Sequence, residues 1–195
     1  MQKKYHKSKG IRIIGGKWKG HTLSVLNAKE LRPTKNKIRE TLFNWLKPVI
    51  KKSYCLDCFS GSGALAIEAL SNYADSVTLI EINYSIFIQL KKNLNKLNIK
   101  NAEAIKNNII NYLSKKGKKY NIIFLDPPFY ENLLEKTVWL LENNEWLTEN
   151  SWIFIEVPKK TNLNILPSNW SLHRKKKSGK VDYYIYIRNQ ILKKN

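Results

Sequence analysis

Residues 126–129, Asp-Pro-Pro-Phe, place a carboxylate, two prolines and an aromatic ring directly after the apolar run Tyr120–Leu125. That run is short and rich in β-branched and aromatic residues, which is typical of a strand buried on both faces. The prolines end the strand and confine Asp126 to extended geometry at its carboxyl end. Open α/β sheets bind ligands at that edge. A carboxylate, the Pro127 carbonyl and the Phe129 ring would then share one cleft, unless the segment is only a proline-rich turn with a solvated Asp126.

A glycine-containing turn precedes the first predicted helix of the sheet region. Residues 57–63 read Asp-Cys-Phe-Ser-Gly-Ser-Gly and lead from a predicted strand into a helix. Gly61 and Gly63 permit positive φ and a close backbone approach to a ligand, and the following helix N-terminus favours an anionic group. The turn is neither a P-loop nor a full dinucleotide fingerprint, because position 66 is alanine where the third glycine stands. An ordinary strand-to-helix turn is the alternative.

Two further polar residues follow neighbouring strands. Glu81 lies about 20 residues after the glycine turn, the spacing expected of an acid that accepts hydrogen bonds from a ribose diol. Asn108 follows the next strand and could pair with an adenine edge, although asparagine is also common at turns. The order of these groups fits a nucleoside whose acidic tail meets the glycine turn. Asp126 is left to face the reacting atom.

The rest of the chain supplies the elements that must position these groups. Short apolar runs alternate with amphipathic stretches, which predicts an α/β fold with a parallel sheet and crossover helices. The predicted strands are residues 54–59, 76–81, 102–106, 120–125 and 152–157. The predicted helices are residues 35–46, with Thr34 as N-cap, and 62–71, 84–97, 109–114 and 133–142. Residues 170–177 and 180–188 are predicted to form an antiparallel hairpin around Gly179.

The charge balance suggests a polyanionic partner. The 195 residues contain 35 Lys and Arg against 15 Asp and Glu, a net charge of +20, which favours nucleic acid. Residues 11–25 are predicted to form two short strands that bring Arg12, Lys17, Trp18 and Lys19 together as a basic, aromatic surface. A lysine-rich composition from an AT-rich genome, or a hairpin with a solvated basic face, would give the same pattern. We expect residues 1–48 to form an RNA-binding extension on a domain of residues 49–195.

Several classes of protein are disfavoured. The sequence has no apolar run of about 18 residues for a transmembrane helix, and no apolar segment follows the basic N-terminus as in a secretion signal. Cys55 and Cys58 are too few for a disulfide scaffold or a zinc site, so core packing and a cytoplasmic location are expected. We expect no metal, no membrane partner and a monomer.

Together these motifs resemble the S-adenosylmethionine-dependent methyltransferases of Rossmann-like fold. Residues 126–129 are similar to the Asp/Asn-Pro-Pro-Tyr/Phe motif of enzymes that methylate exocyclic base amines. More closely, the chain resembles the RsmD family of bacterial methyltransferases, which modify a guanine of 16S ribosomal RNA at N2. The matching segments are residues 12–16, 31–34, 39–46, 57–59, 61–65, 126–129 and 169–174.

The resemblance implies a mostly parallel seven-stranded sheet with an antiparallel C-terminal strand, S-adenosylmethionine as cofactor, and the small ribosomal subunit or its assembly intermediate as partner. The catalytic residues would be Asp126, Pro127 and Phe129. The cofactor contacts would be Asp57, Ser60, Gly61, Gly63, Glu81, Asn108 and Ile109. The RNA contacts would be Arg12, Lys17, Trp18, Lys19, Arg32 and Arg39. Alternatives are a methyltransferase for adenine or cytosine amines of DNA, a non-catalytic RNA-binding module and, less well matched by the glycine pattern, a nucleotide-dependent dehydrogenase.

Overall fold

The computed structural model describes residues 10–26, 36–128 and 132–190. Two short strands, β1 (Ile11–Arg12) and β2 (Thr22–Leu23), form an antiparallel pair. The other strands are β3 (Tyr54–Asp57), β4 (Ser76–Glu81), β5 (Ala102–Lys106), β6 (Tyr120–Leu125), β7 (Leu147–Pro158), β8 (Trp170–Ser178) and β9 (Val181–Arg188). The helices are α1 (Asn36–Leu46), α2 (Ala64–Ser71), α3 (Tyr84–Lys96), α4 (Ile109–Leu113) and α5 (Leu133–Asn143).

The central sheet has seven strands in the order β5-β4-β3-β6-β7-β9-β8. The first five of these are mutually parallel, and β9 runs antiparallel to both β7 and β8. Strand order reverses between β3 and β6, which is the switch point at which open α/β sheets bind ligands. The predicted Rossmann-like fold with an antiparallel C-terminal strand is therefore confirmed.

The predicted elements differ from the observed ones mainly at their ends. The helix expected from residue 62 begins at Ala64, because Gly63 has a φ of 79° and still belongs to the preceding turn. Strand β7 begins five residues earlier than predicted, at Leu147, beyond an irregularity in its pairing with β6. The expected N-cap Thr34 lies outside the described residues.

Two apolar layers cover the two faces of the sheet. Alternating residues of β6 divide between them: Ile122 and Phe124 join a cluster with α1 and α2, whereas Ile123 and Leu125 join one with α4 and α5. Burial on both faces explains the nearly continuous apolar sequence of β6. It also fixes the strand's direction and its exit point, just before Asp126.

The N-terminal hairpin is attached to the first of these layers through α2. The N–H groups of Ile14 and Gly15 donate to the Glu68 carboxylate at 3.1 and 2.7 Å, and the N–H of Trp18 donates to the Ser71 hydroxyl at 3.0 Å. Its apolar residues share a core with the sheet. The hairpin therefore packs against the sheet domain without a core of its own. The predicted boundary between an extension and a domain at residue 48 stays a prediction.

Across residues 10–26, 36–128 and 132–190, none of the helices combines the length and apolar character needed to span a bilayer.

Candidate functional site

The candidate site lies at the carboxyl edge of the parallel strands, on both sides of the switch point. The register aligns Asp57 of β3 with Phe124 of β6, so Asp126 lies two residues further along this edge. On the other side, Glu81 ends β4 level with Lys106, the last residue of β5. The four predicted strand ends therefore meet at one edge.

The glycine turn is shaped by its own backbone. Gly61 and Gly63 have φ values of 50° and 79°, in the left-handed region that favours glycine. The Gly63 N–H donates to the Ser60 carbonyl at 2.7 Å, and the Ser60 hydroxyl donates to the Asp57 carbonyl at 3.0 Å. Ser60 is buried, and its hydroxyl and carbonyl both form hydrogen bonds that close the turn. Ser60 therefore has a structural role whether or not it also contacts a ligand.

Glu81 joins the second strand to the glycine turn. One carboxylate oxygen accepts the Gly61 N–H at 2.9 Å and the other accepts the Asn83 N–H at 2.7 Å. Burial raises the pKa of this carboxyl, and the bonds from Asn83, Gly61 and Ile82 counteract that rise. Each oxygen can accept a second hydrogen bond, so the carboxylate could still receive the two hydroxyls of a ribose.

Asp57 lies beneath the turn and is buried. Its carboxyl pKa is raised to about 7, first by burial and then by the negative charges of Asp126 and Glu81, while N–H groups of Phe59 and Ala66 lower it. Asp57, Glu81 and Asp126 therefore form one electrostatic group, here named the carboxylate cluster. Within the described ranges, no three His, Cys, Asp or Glu side chains are placed to hold a metal ion.

Asn108 and Ile109 begin α4 at the same edge. The Asn108 side-chain oxygen accepts the Ile110 N–H at 2.8 Å and so caps this helix. The Asn108 amide NH₂ is the part of the side chain that could meet a base. The Ile109 side chain is buried in the layer that contains α4 and α5, so a contact of Ile109 with a ligand would have to come from its backbone.

Asp126 follows β6 directly and is partly buried, while Pro127 is buried. The last β6–β7 pair joins Leu125 to Ile155, which places Asp126 level with Glu156 on the neighbouring strand. Phe129 lies outside the described residues, and its predicted stacking role stays a prediction.

The predicted RNA contacts separate into different environments. Arg12, Lys17 and Lys19 are exposed on the hairpin. Trp18 is half-buried against the core, and its ring lies 4.9 Å from the Lys17 ammonium. Arg32 is outside the described residues.

The prediction that Arg39 contacts RNA is wrong. Its side chain has 0% exposure and forms an ion pair with Glu68 at 3.2 Å. It also donates to the Arg12 carbonyl at 2.8 Å and to the Asn36 side chain at 2.6 Å. Because its donors are directed to α1, α2 and the hairpin, Arg39 joins these three elements and cannot reach a phosphate.

Two residues at the edge escaped the sequence interpretation. Ile82 directly follows Glu81 and is 63% exposed, so its apolar side chain is open to a ligand at this edge. Its signal was its position: an apolar residue after the acid that ends a buried strand. Glu156 is buried level with Asp126, and its signal was a carboxylate within the apolar run of β7.

Comparisons with known proteins identify the family of this chain. A family model described as Conserved hypothetical protein 95 matches residues 11–187. Ribosomal RNA small subunit methyltransferase D of Escherichia coli strain K12 is 50% identical over 189 residues, which cover 96% of each chain.

Solved structures give the same answer about the fold. A putative methyltransferase from Escherichia coli has a TM-score of 0.87 and 50% identity, covering 92% of this chain and 98% of that one. An RNA methyltransferase from Salinibacter ruber, in complex with S-adenosyl-L-homocysteine, has a TM-score of 0.63 and 13% identity, covering 84% of this chain and 98% of that one. The second likeness shows the fold alone. The match over residues 11–187 and the 50% identity along nearly the whole chain show that this chain belongs to the Conserved hypothetical protein 95 family, the family of ribosomal RNA small subunit methyltransferase D.

Proposed function

We propose that this chain transfers a methyl group from S-adenosylmethionine to the exocyclic N2 of a guanine in 16S ribosomal RNA. Family membership supports methylation of small-subunit ribosomal RNA, and the choice of an exocyclic amine comes from the acceptors at Asp126 and Pro127. The observation that carries the proposal is the convergence of the glycine turn, Glu81 and Asp126 at one edge of the sheet.

The residues present fit this cofactor. Burial, followed by the negative charges of Asp126 and Glu81, raises the pKa of Asp57 to about 7. A ligand carrying positive charge would relieve the repulsion between the members of the carboxylate cluster. S-adenosylmethionine has two such charges, a sulfonium and an ammonium. Glu81 would accept hydrogen bonds from its ribose, and the Asn108 amide would meet its base. The glycine turn would admit its amino-acid part.

When bound, S-adenosylmethionine supplies an electrophilic methyl group on a positively charged sulfur. The guanine amine is a weak nucleophile because its lone pair is delocalised into the ring. The Asp126 carboxylate and the Pro127 carbonyl would accept its two N–H hydrogens and favour a pyramidal nitrogen, a form of positioning and electrostatic stabilisation. The bond between the amine nitrogen and the methyl carbon would form as the carbon–sulfur bond breaks, S-adenosylhomocysteine would leave with both electrons of that bond, and the proton released from the nitrogen would go to Asp126 or to water. Phe129 would stack on the guanine, which must leave any base pair to enter the site.

The test uses Asp126→Ala, which removes the acceptor oxygens, and small-subunit particles that lack the modification. We expect this variant to retain S-adenosylmethionine binding, weakened at most a few-fold by the loss of one charge of the carboxylate cluster, and to transfer methyl groups about 10²–10⁴-fold more slowly at saturating cofactor. Asp75→Ala, at an exposed aspartate on the opposite edge of the sheet, is the matched control. Mapping of the labelled methyl group should place it on guanine N2. Transfer instead to DNA adenine or cytosine, or near-normal turnover by Asp126→Ala, would reject the proposal.

A further inference from the structure

A group of lysines meets where β7 ends beside the β8–β9 turn. The Lys159 N–H donates to the Lys180 carbonyl at 3.0 Å, and Lys177 lies three residues before Lys180, across the two-residue turn of Gly179 and Lys180. All three lysines are exposed. Lys159, Lys177 and Lys180 are named here the lysine tip.

The lysine tip lies on the same edge of the sheet as Asp126. Asp126 is level with Glu156, and this row continues through Tyr183 to Lys176 on the far strand. Neighbouring strands are about 4.8 Å apart, so the row spans roughly 14 Å from β6 to β8. The three lysines of the lysine tip lie one to four residues beyond this row, in the direction of the carboxyl ends of the parallel strands.

Acids within residues 10–26, 36–128 and 132–190 do not neutralise the charge at the lysine tip. Among the residues that the structure describes, Lys159, Lys177 and Lys180 form no ion pair with Asp or Glu. The acid level with Lys177 is Asp182, which is buried and accepts the Tyr184 hydroxyl at 3.5 Å. Three ammonium groups at one end of the sheet therefore remain available to an external anion.

Protection of an exposed sheet edge explains only part of this pattern. Lysines on an edge strand hinder pairing with other chains, and β8 is such a strand. Lys175 fits that explanation, and its ammonium also lies 4.9 Å from the Tyr184 ring. Lys159 and Lys180, however, lie after β7 and in the turn, where there is no free edge to protect. Their position beside the site of Asp126 needs another reason.

We propose that the lysine tip binds phosphates of the RNA strand that flanks the target base. It would be a second contact surface, in addition to the one proposed on the N-terminal hairpin. This inference rests on the proposed function, since it assigns a surface for the same RNA. Lysine ammonium groups suit this task because phosphate contacts give affinity and orientation without reading sequence. Contacts at the lysine tip would hold the flanking strand while one base enters the site.

The experiment compares two triple variants with the same loss of charge. Lys159→Gln/Lys177→Gln/Lys180→Gln removes the lysine tip. The control, Lys51→Gln/Lys118→Gln/Lys119→Gln, removes three exposed lysines near the amino ends of β3 and β6, at the opposite edge. Binding of 16S ribosomal RNA is measured against salt concentration, and methyl transfer to small-subunit particles is measured as KM and kcat.

Loss of the lysine tip should weaken RNA binding about tenfold or more at low salt. It should reduce the slope of log K against log salt by about 2, since each phosphate contact of a single strand contributes about 0.7. We expect KM to rise, kcat to stay within about twofold, and S-adenosylmethionine affinity to be unchanged. The control should keep most of the wild-type affinity and slope.

Equal effects of the two triple variants on RNA binding would contradict the proposal that the lysine tip binds RNA. The proposed function would be unaffected by that result. A wild-type protein that binds the RNA but methylates no guanine in the particles would overturn the proposed function. The two binding curves would still decide whether the lysine tip contacts RNA.

Discussion

The Glu81 carboxylate accepts the Gly61 N–H at 2.9 Å and so fastens the glycine turn to the end of β4. Its other oxygen accepts the Asn83 N–H at 2.7 Å, where α3 begins. The residue proposed to hold the ribose therefore also shapes the turn proposed to hold the amino-acid part of the cofactor. Loss of this carboxylate should disturb both contacts together.

We expect Glu81→Gln to weaken S-adenosylmethionine binding about tenfold or more, because an amide NH₂ replaces one of two acceptor oxygens and meets a backbone donor. Glu81→Ala should weaken it further. Titration calorimetry measures both, with Glu103→Gln, an exposed acid on β5, as control. Unchanged affinity in Glu81→Ala would mean that the ribose site is misplaced.

Much of the fold and part of the site were predictable from the sequence, and the reasons are local. The bounds of β4, β5 and β6 were predicted to the residue. Strands β4 and β6 are apolar runs closed by a polar residue, and β5 alternates apolar and polar residues between two asparagines. The position of Glu81 at the same edge as the glycine turn was expected from a spacing of about 20 residues, although the hydrogen bond between the Glu81 side chain and Gly61 was not.

Contacts between distant segments were not predictable in this way. Arg39 was predicted to contact RNA, yet its partner Glu68 lies 29 positions away on α2. A helical pattern identifies an apolar face but does not show which charged residue another element will cover. The lysine tip was missed for the same reason, because it depends on the pairing of β7 with β9.

In the folded protein Asp57 should keep its proton to a higher pH than in the unfolded chain, and this difference can be measured. Its pKa is raised to about 7, whereas the carboxyl of the unfolded chain titrates near 3.9. Between about pH 4 and pH 7 the folded state holds a proton that the unfolded state has released. The Asp57 contribution to the free energy of unfolding should therefore fall as pH rises through this window and level off above it.

Binding of a cationic cofactor should favour the ionised form of Asp57 and release this proton. We expect the affinity for S-adenosylmethionine to rise between about pH 6 and pH 8, and Asp57→Asn to flatten the rise. Carboxyl ¹³C shifts of the wild-type protein report the same titration directly, so the test does not depend on the stability of the variant. A flat affinity profile together with an Asp57 pKa near 4 would contradict the carboxylate cluster.

Gly63 offers a test of the turn geometry with a matched control. At Gly63 a Cβ atom would clash with Leu90 Cδ1, and φ is 79°. At Gly20 φ is 90°, but the nearest atom is Arg12 Nη2 at 3.7 Å. Both alanine variants carry backbone strain of about 1–3 kcal/mol, whereas only Gly63→Ala also displaces a packed side chain.

We therefore expect Gly63→Ala to lower the melting temperature more than Gly20→Ala and to weaken cofactor binding, which Gly20→Ala should leave unchanged. Gly63→Ala/Leu90→Ala should recover part of the cofactor affinity by removing the clash, even though Leu90 itself is buried. Equal effects of the two glycine variants on cofactor binding would show that the turn tolerates a side chain.

Arg39 and Glu68 form a fully buried ion pair at 3.2 Å, and their separation should destabilise the protein. We expect Arg39→Met to lower the free energy of unfolding by about 3–5 kcal/mol, because it leaves a buried carboxylate without its charged partner. Lys116→Met breaks an exposed pair at 3.3 Å and should cost less than about 1 kcal/mol. Urea unfolding measures both values.

In Arg39→Met/Glu68→Gln the loss of unfolding free energy should be smaller than the sum of the losses in the two single variants, since neither charge is then left alone. Arg39→Lys, which keeps the charge but loses the guanidinium fork, should reduce stability while leaving the salt dependence of RNA binding unchanged. If Arg39→Met had wild-type stability and a shallower slope of log K for RNA binding against log salt, Arg39 would instead be an RNA contact.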